Sequence, residues 1–376
     1  MEIQNDLLDS LDRDMLITVL MCLDDPADIV RAGSVSRAWR DFVISNGVCK
    51  QICLRLFPQL SSVARLIDIS NRMEKPVDVE CSSSIEWDYE KMEHRTYASL
   101  AQRLTSSEME SCIAAAISAS STDNDPEESI QNTLEPRDRV GRRASYWSSS
   151  GQKNAAVPEK LTYKLVSDIC VITEISVQPF QAFFQANSPI YSAKAVRFHM
   201  GHQILSDNGE GDHQGQGGKQ SDDGKFIWTY TSEEFPMAQE KCLQKFKLPQ
   251  AVLCIGGILQ IELLGRVQKQ EMDGLLYICI THVQVMGRSL SPVFGVEILE
   301  PSGKFLLKYD SQARYCPPTS AGGSVETPEG SMLAPGLLQR RHVRGWEILN
   351  LFRGNIGVEV YDSDDENNDS DEEFDA

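Results

Sequence analysis

Two pairs of residues approach the spacing that chemistry needs. His199 and His202 stand three apart, as two ligands of one metal ion can. No Asp or Glu adjoins them in sequence, so a plain turn at a strand end is the simpler reading. Cys279 and His282 are also three apart and have the residue types of a thiol nucleophile and its base. In a strand such residues point to opposite faces and cannot act as a pair. Gly215–Gly218 is rich in glycine, but no Lys-Ser/Thr pair follows to open a helix, and the segment is acidic. The ten cysteines, at 22, 49, 53, 81, 112, 170, 242, 254, 279 and 316, contain no CxxC. They read as buried free thiols, and neither a metal nor a cofactor is expected. Trp147 and Trp228 could stack on sugars, although buried aromatics are commoner. A hydrolase would need convergent His and carboxylates, and the six histidines do not cluster in sequence beyond His199 and His202.

Charge patterning offers a second kind of site. Arg137, Arg139, Arg142 and Arg143 form a basic run, read as a solvated strand edge or as a contact for an acidic partner. Arg142-Arg143-Ala144-Ser145 resembles a basophilic kinase target. Ser145 is therefore a phosphorylation candidate unless the neighbouring Tyr146 and Trp147 rings are core. Ser363 and Ser370 each have an acid three residues on and resemble acidophilic kinase sites. Net charge is −19, and nine of the 55 acidic residues fall between Asp362 and Ala376, where no basic residue occurs. That tail cannot fold alone. The acidic balance speaks against nucleic acid and against anionic lipid as partners.

The elements that would carry these residues divide the chain. Leu16, Val19, Leu20 and Leu23 follow the i, i+3, i+4, i+7 pattern of one buried helical face. Asp25-Pro26 and Asp28 suit the start of a second helix. Ser34 or Ser36 starts a third, stopped at Asn46-Gly47, and Val48, Ile52 and Leu56 line a fourth that ends by Pro58. Another helix is expected from Ile85 to about Leu104, and one more with Met109, Cys112, Ile113 and Ile117 on one side. Beyond Ser118 strands dominate: Leu161–Val166, Cys170–Val177, Ala193–Met200, Phe226–Tyr230, Gln244–Leu248, Ala251–Leu264 and Leu275–Met286. Asp273-Gly274 reads as a hairpin turn joining the last two. Without β-α-β alternation, an antiparallel sandwich is expected. Ser206–Gly224 and Pro317–Pro335 read as polar loops and as candidate client contacts, and Gly336–Phe352 as a helix. The acidic start has no apolar core like that of a signal peptide, and the longest apolar stretch, near Ala251–Leu259, is too short to span a bilayer. An intracellular protein, cytoplasmic or nuclear, is expected.

Leu11, Asp14, Leu16, Val19, Leu20, Leu23, Asp28, Ile29, Val35, Ser36, Trp39 and Arg40 stand in an order and spacing that resembles an F-box. The Val35-Ser36-Arg37-Ala38-Trp39-Arg40 piece is similar to the family's Val-Cys/Ser-x-x-Trp-Arg signature. The resemblance implies that Leu11, Leu16, Val19, Leu20, Leu23, Ile29, Val35 and Trp39 bind a Skp-family adaptor, which joins them to a cullin. The family usually carries Leu-Pro where this chain has Leu11-Asp12. That proline lies in the adaptor contact, so its replacement implies either a weaker contact or a helix cap supplied by Asp12.

The second half, through Ala119–Ser121, Tyr146–Ser149, Cys170–Val177 and Leu276–Gly287, resembles a discoidin-type, galactose-binding-like jelly roll. The whole resembles a plant F-box protein with such a C-terminal domain. The expected chain is a multidomain α+β protein. It has an F-box at 1–60, a helical connector at 61–117, an antiparallel β-sandwich with a C-terminal extension at 118–361, and an acidic tail at 362–376. The implied function is substrate recognition in a Skp–cullin–F-box ubiquitin ligase, with an unknown protein client on the sandwich. The alternatives are a receptor for a glycan or small ligand and, remotely, a jelly-roll hydrolase.

Overall fold

The structure is a computed structural model. It describes residues 7–23, 25–70, 73–74, 83–204, 224–299 and 302–313. The Gly336–Phe352 helix, the Pro317–Pro335 loop, all but Gly224 of the Ser206–Gly224 loop, and the acidic tail lie outside the described residues.

Five short helices come first: α1 (Leu7–Ser10), α2 (Arg13–Met21), α3 (Pro26–Gly33), α4 (Arg37–Ser45) and α5 (Val48–Leu56). The starts of α2, α3 and α4 are built from side-chain caps. Asp12 accepts the Met15 N–H at 2.8 Å, Asp25 that of Ala27 at 2.8 Å, and Ser36 that of Trp39 at 3.2 Å. Each satisfies an amide that the helix itself leaves unpaired, typically worth about 1 kcal/mol. Asp12 thus caps the helix at the position where the family's proline would stand. Gly47 has φ +55 and lets the chain turn directly from α4 into α5.

Residues 61–117 are not the expected helical connector. They hold one helix, α6 (Ser83–Leu104), preceded by strands β1 (Val63–Asp68) and β2 (Met73–Glu74) and followed by β3 (Glu110–Ser111) and β4 (Ile113–Ala119). The helix expected through Met109, Cys112, Ile113 and Ile117 is replaced by β3 and β4. The register of β4 shifts twice against its neighbour, and so Ile113, Ala116 and Ala119 all turn toward the core. Bulges give this strand an inward spacing of three residues, which imitates a helix.

The remaining strands are β5 (Arg139–Val140), β6 (Arg143–Ala144), β7 (Trp147–Ser148), β8 (Glu159–Leu165), β9 (Ile169–Gln181), β10 (Ile190–Tyr191), β11 (Ala193–Gln203), β12 (Phe226–Thr231), β13 (Phe235–Pro236), β14 (Gln244–Ile255), β15 (Ile258–Arg266), β16 (Cys279–Ser289), β17 (Phe294–Leu299) and β18 (Lys304–Tyr309). One sheet runs β12-β11-β15-β8-β4 with β13 on β11. The other runs β10-β9-β16-β3 with β14 on β9 and β7 on β16. Their inner faces enclose one core that includes Trp147, Tyr163, Phe198 and Phe246. Every pairing in the two sheets is antiparallel, so the chain folds as helices followed by an antiparallel β-sandwich.

Two expectations about strands are corrected. Ala251–Leu264 is not one strand: Gly256 and Gly257, at φ +94 and +67, break it and carry the chain from one sheet to the other. The strands on either side of Asp273-Gly274 do not form a hairpin, because β15 and β16 lie in different sheets. Gly274 serves a smaller turn, in which its N–H donates to Gln270 O at 3.0 Å.

A second core ties the helices to the sandwich. Leu20, Ile29, Val43, Ile52 and Leu60 pack in one buried cluster with Leu100 of α6, Ile169 and Val171 of β9, and Leu253 and Ile255 of β14. Phe294, Phe305 and Leu307 complete it. They come from β17 and β18, which leave the sandwich to form a small sheet in the order β17-β18-β1-β2, with β18 parallel to β1. Residues 294–309 therefore belong with the helices rather than with the sandwich. No break in packing follows residue 60.

Candidate functional site

On the helices, burial separates apolar residues that hold the fold from those that face outward. Leu16, Leu20 and Ile29 are at most 4% exposed. These three were expected to touch the adaptor; in the structure they are packed inside. Leu23 and Trp39 are half-buried against the second core, and Leu11 is half-buried just before α2. Val19 and Val35 are 50% and 70% exposed, and Met15 and Val30 are 57% and 50% exposed. Met15 and Val19 lie one turn apart on α2, on one face. Four large apolar side chains thus reach the surface within 21 residues. Beneath them Arg55 donates to the carbonyls of Met21 and Leu23, fixing the end of α2 against α5.

The opposite end of the sandwich is built from aromatics. β9 begins in the second core at Ile169 and, about 36 Å further on at about 3.3 Å per residue, reaches Phe180. There Tyr146 stacks on Phe180 with centroids 3.9 Å apart, and Phe183 and Phe184 follow edge to face at 5.4 Å. The Arg139 guanidinium lies 3.6 Å from the centre of the Phe183 ring. Phe184 is 57% exposed. Glu128 accepts the Tyr146 hydroxyl at 2.5 Å, and Asp273 that of Tyr277 at 2.5 Å. Burial pushes the carboxyls of Asp123 and Glu128 up.

Beneath this end lies Arg266, fully buried. Its guanidinium pairs with Glu159 and donates to Ser149 Oγ at 2.8 Å, Ser150 O at 3.0 Å and Leu276 O at 3.1 Å. One side chain thereby ties two stretches of loop to β8.

The other singled-out residues are structural. Ser145 is 5% exposed and donates its N–H to Asp138 O at 2.8 Å, so the folded chain does not offer its hydroxyl to a kinase. The neighbouring Trp147 ring is core, and its indole N–H donates to Ser121 O at 3.1 Å. Trp228 is half-buried beside Phe226 and His199. His199 has a carboxylate partner that its own strand does not reveal: Glu262 of β15, at 3.3 Å, which also pairs with Arg197 at 2.9 Å. Cys279 donates to Ser148 Oγ at 3.4 Å, while His282 Nδ1–H donates to Thr133 O at 2.9 Å, so the two serve different partners. Among the described residues no group of His, Cys, Asp and Glu is arranged to hold a metal. Ser363 and Ser370 lie outside the described residues.

Three features were missed in sequence. Met15 and Val30 have the same residue types as core positions, and only helix packing separates them. Phe183-Phe184 left a signal, two adjacent aromatics after a strand. Arg266 and Glu159 left none, being 107 residues apart.

Capped and packed helices with exposed Met15, Val19, Val30 and Val35 are thus joined to an antiparallel β-sandwich. The F-box-like family model matches residues 9–55. The F-box protein At4g00755 of Arabidopsis thaliana is 53% identical over 307 residues, covering 81% of each chain. The chain belongs to the F-box protein family. Among solved structures, a family 32 carbohydrate-binding module from a Clostridium perfringens glycoside hydrolase covers 46% of this chain and 90% of its own, with a TM-score of 0.29 and 15% identity. Allantoicase from Saccharomyces cerevisiae covers 53% of this chain and 55% of its own, with a TM-score of 0.33 and 12% identity.

Proposed function

We propose that the protein is the substrate-recognition subunit of a Skp–cullin–F-box ubiquitin ligase. The helices around Met15, Val19, Val30 and Val35 bind a Skp-family adaptor and, through it, a cullin. The sandwich holds a protein client. The chain adds no catalytic residue to this task; it works by holding the client near chemistry performed elsewhere. Such a role places it in the cytoplasm or nucleus, without nucleic acid, membrane or cofactor.

The exposed apolar side chains on the family-matched helices, Met15 and Val19 on one face of α2 with Val30 and Val35 nearby in sequence, carry this reading. Covering them with a partner would remove apolar surface from water. The second core adds to it: a client on the sandwich would stand at a set distance from the adaptor, because no flexible joint separates them after residue 60. Affinity purification of the intact chain and of a Val19→Asp, Val35→Asp variant tests it. Adaptor and cullin should leave the variant, while clients accumulate on it. Equal adaptor recovery from both chains would refute the assignment.

A further inference from the structure

Four arginines within seven residues, Arg137, Arg139, Arg142 and Arg143, sit at the end of the sandwich away from the helices. We propose that the β5–β6 hairpin, together with Phe183 and Phe184, is the client-docking surface, and that it receives a protein segment in which acidic side chains flank an aromatic one. This deepens the receptor reading above and rests on it.

The hairpin pairs Arg139 with Ala144 and Val140 with Arg143. Paired residues share a face, and alternate ones face oppositely. Arg139 and Ala144 therefore turn toward the aromatic cluster, where Ala144 packs and the Arg139 guanidinium lies on Phe183. Val140 and Arg143 turn outward, and Arg142 stands at the tip beside Gly141, whose φ of +63 makes the turn. Nearby carboxylates are already engaged: Glu135 by Arg137 at 3.3 Å and Asp138 by Lys241 at 2.6 Å. Arg142 and Arg143 are exposed and have no carboxylate partner among the described residues. In a chain of net charge −19, this is a local reserve of unneutralised positive charge.

The aromatic half of the surface is held in place. Ala182 N–H donates to Pro189 O at 2.9 Å, and Tyr191 donates to Gln185 Oε1 at 2.6 Å across the same loop. Asn187 and Ser188 both take positive φ, +61 and +44, a conformation that costs non-glycine residues about 1–2 kcal/mol each. The outcome is an exposed Phe184 ring on a braced loop, with the Arg139 guanidinium held on the neighbouring Phe183. Rigid aromatics beside arginines are the usual composition of a binding hot spot. An anionic bilayer fits less well, because so wide a surface would also meet Glu271 and Asp273 of the adjoining 271–275 loop, which a short segment lying on the hairpin need not reach.

The probe is a labelled peptide, Glu-Glu-Asp-Phe-Asp-Glu-Glu, titrated with the full chain and followed by fluorescence anisotropy. Saturable binding is expected, weakening between about 50 and 300 mM salt. Arg142→Glu with Arg143→Glu should weaken it by about tenfold or more, and Phe184→Ser by about fivefold or more. All these positions are exposed, so unfolding midpoints should match the wild type. A peptide with lysine at the acidic positions should not bind. The proposal is overturned by absence of binding up to about 1 mM peptide or by equal affinity in the variants. It is also overturned if phosphatidylserine vesicles, rather than the peptide, are what the arginines capture. Adaptor capture is measured on the same chains. Failure of the wild type to capture the adaptor counts against the receptor reading alone, and loss of peptide binding with adaptor capture intact is specific to the hairpin.

Discussion

The guanidinium of Arg266 has no exposed side-chain surface, and it meets the carboxylate of Glu159 across 107 residues of chain. The pair joins the ends of two neighbouring strands, β8 and β15, and Arg266 also holds the loops at Ser149–Ser150 and at Leu276. Removing one member of a buried pair leaves the other as an uncompensated charge. Arg266→Ala should therefore lower stability by about 3–5 kcal/mol, read from urea denaturation. Arg266→Lys keeps the charge but loses the fork that reaches Ser149, Ser150 and Leu276 at once, and should fall between the two. A loss below about 1 kcal/mol in the alanine variant would mean that the pair does not hold these loops.

Gly256 carries the chain from one sheet to the other at φ +94, and a Cβ there would stand 2.2 Å from His202 Cβ. Neither the backbone conformation nor the space admits a side chain. Gly256→Ala should lower the thermal midpoint strongly or prevent folding. Gly303→Ala, also at positive φ but with nothing within 4 Å, should cost only the conformational strain of about 1–2 kcal/mol. Equal losses at the two positions would show that close approach to His202 is unimportant.

Burial holds the imidazoles of His94, His199 and His282 below the usual range. For His282 burial outweighs the Thr133 carbonyl and Glu135, both of which favour the charged ring. As pH falls, the unfolded chain takes up these protons first, near about pH 6.5. The histidines therefore contribute full stability above that pH and lose it as pH falls toward their folded values. His282→Gln should flatten the dependence of unfolding free energy on pH between about 7 and 5, by at most about 1.4 kcal/mol per pH unit. Asp123 and Glu128 act in the opposite direction, since burial raises their carboxyls, and that contribution is common to both proteins. An unchanged slope in the variant would show that His282 titrates normally.

Cys22 and Cys242 are exposed, whereas Cys49, Cys53, Cys112, Cys170, Cys254 and Cys279 are buried. Burial pushes the thiols of Cys49 and Cys254 up to about 12. Because the thiolate is the reacting form, iodoacetamide should label Cys22 first among the cysteines of the described residues. Cys242 should follow more slowly, since slight burial and Glu240 beside it raise its thiol. Early labelling of Cys254 or Cys279 in a time course read by peptide mass mapping would contradict the packing of the sandwich.

How legible these features are in sequence depends on the range of the contacts that make them. The caps of α2, α3 and α4 are local, and Asp12, Asp25-Pro26 and Ser36 announce them directly. The segment of β3 and β4 is misread because Met109 and Ile117, which complete a helical pattern with Cys112 and Ile113, are exposed in the structure, while the bulged β4 turns Ala116 and Ala119 inward instead. β18 pairs in parallel with β1 across more than 230 residues, and no local pattern marks such a partner. The binding face is half legible. Val19 and Val35 stand within the F-box pattern, but so do Leu16, Leu20 and Ile29, and apolar spacing alone does not separate a side chain that meets a partner from one that meets its own core. Arg142 and Arg143 were visible as charge, while the aromatic floor beside them depends on how β9 ends.

Titration calorimetry of the full chain with a purified Skp-family adaptor tests the central claim most directly. The wild type should bind one adaptor, and Val19→Asp with Val35→Asp should weaken binding by about 100-fold or more, about 2.7 kcal/mol. The variant's unfolding midpoint should stay where it was, because both positions are exposed. Leu20→Ala offers the contrast: as a buried position it should lose about 2–5 kcal/mol of stability. A wild-type chain that does not bind the adaptor, or a double variant that binds as tightly as the wild type, would contradict the account.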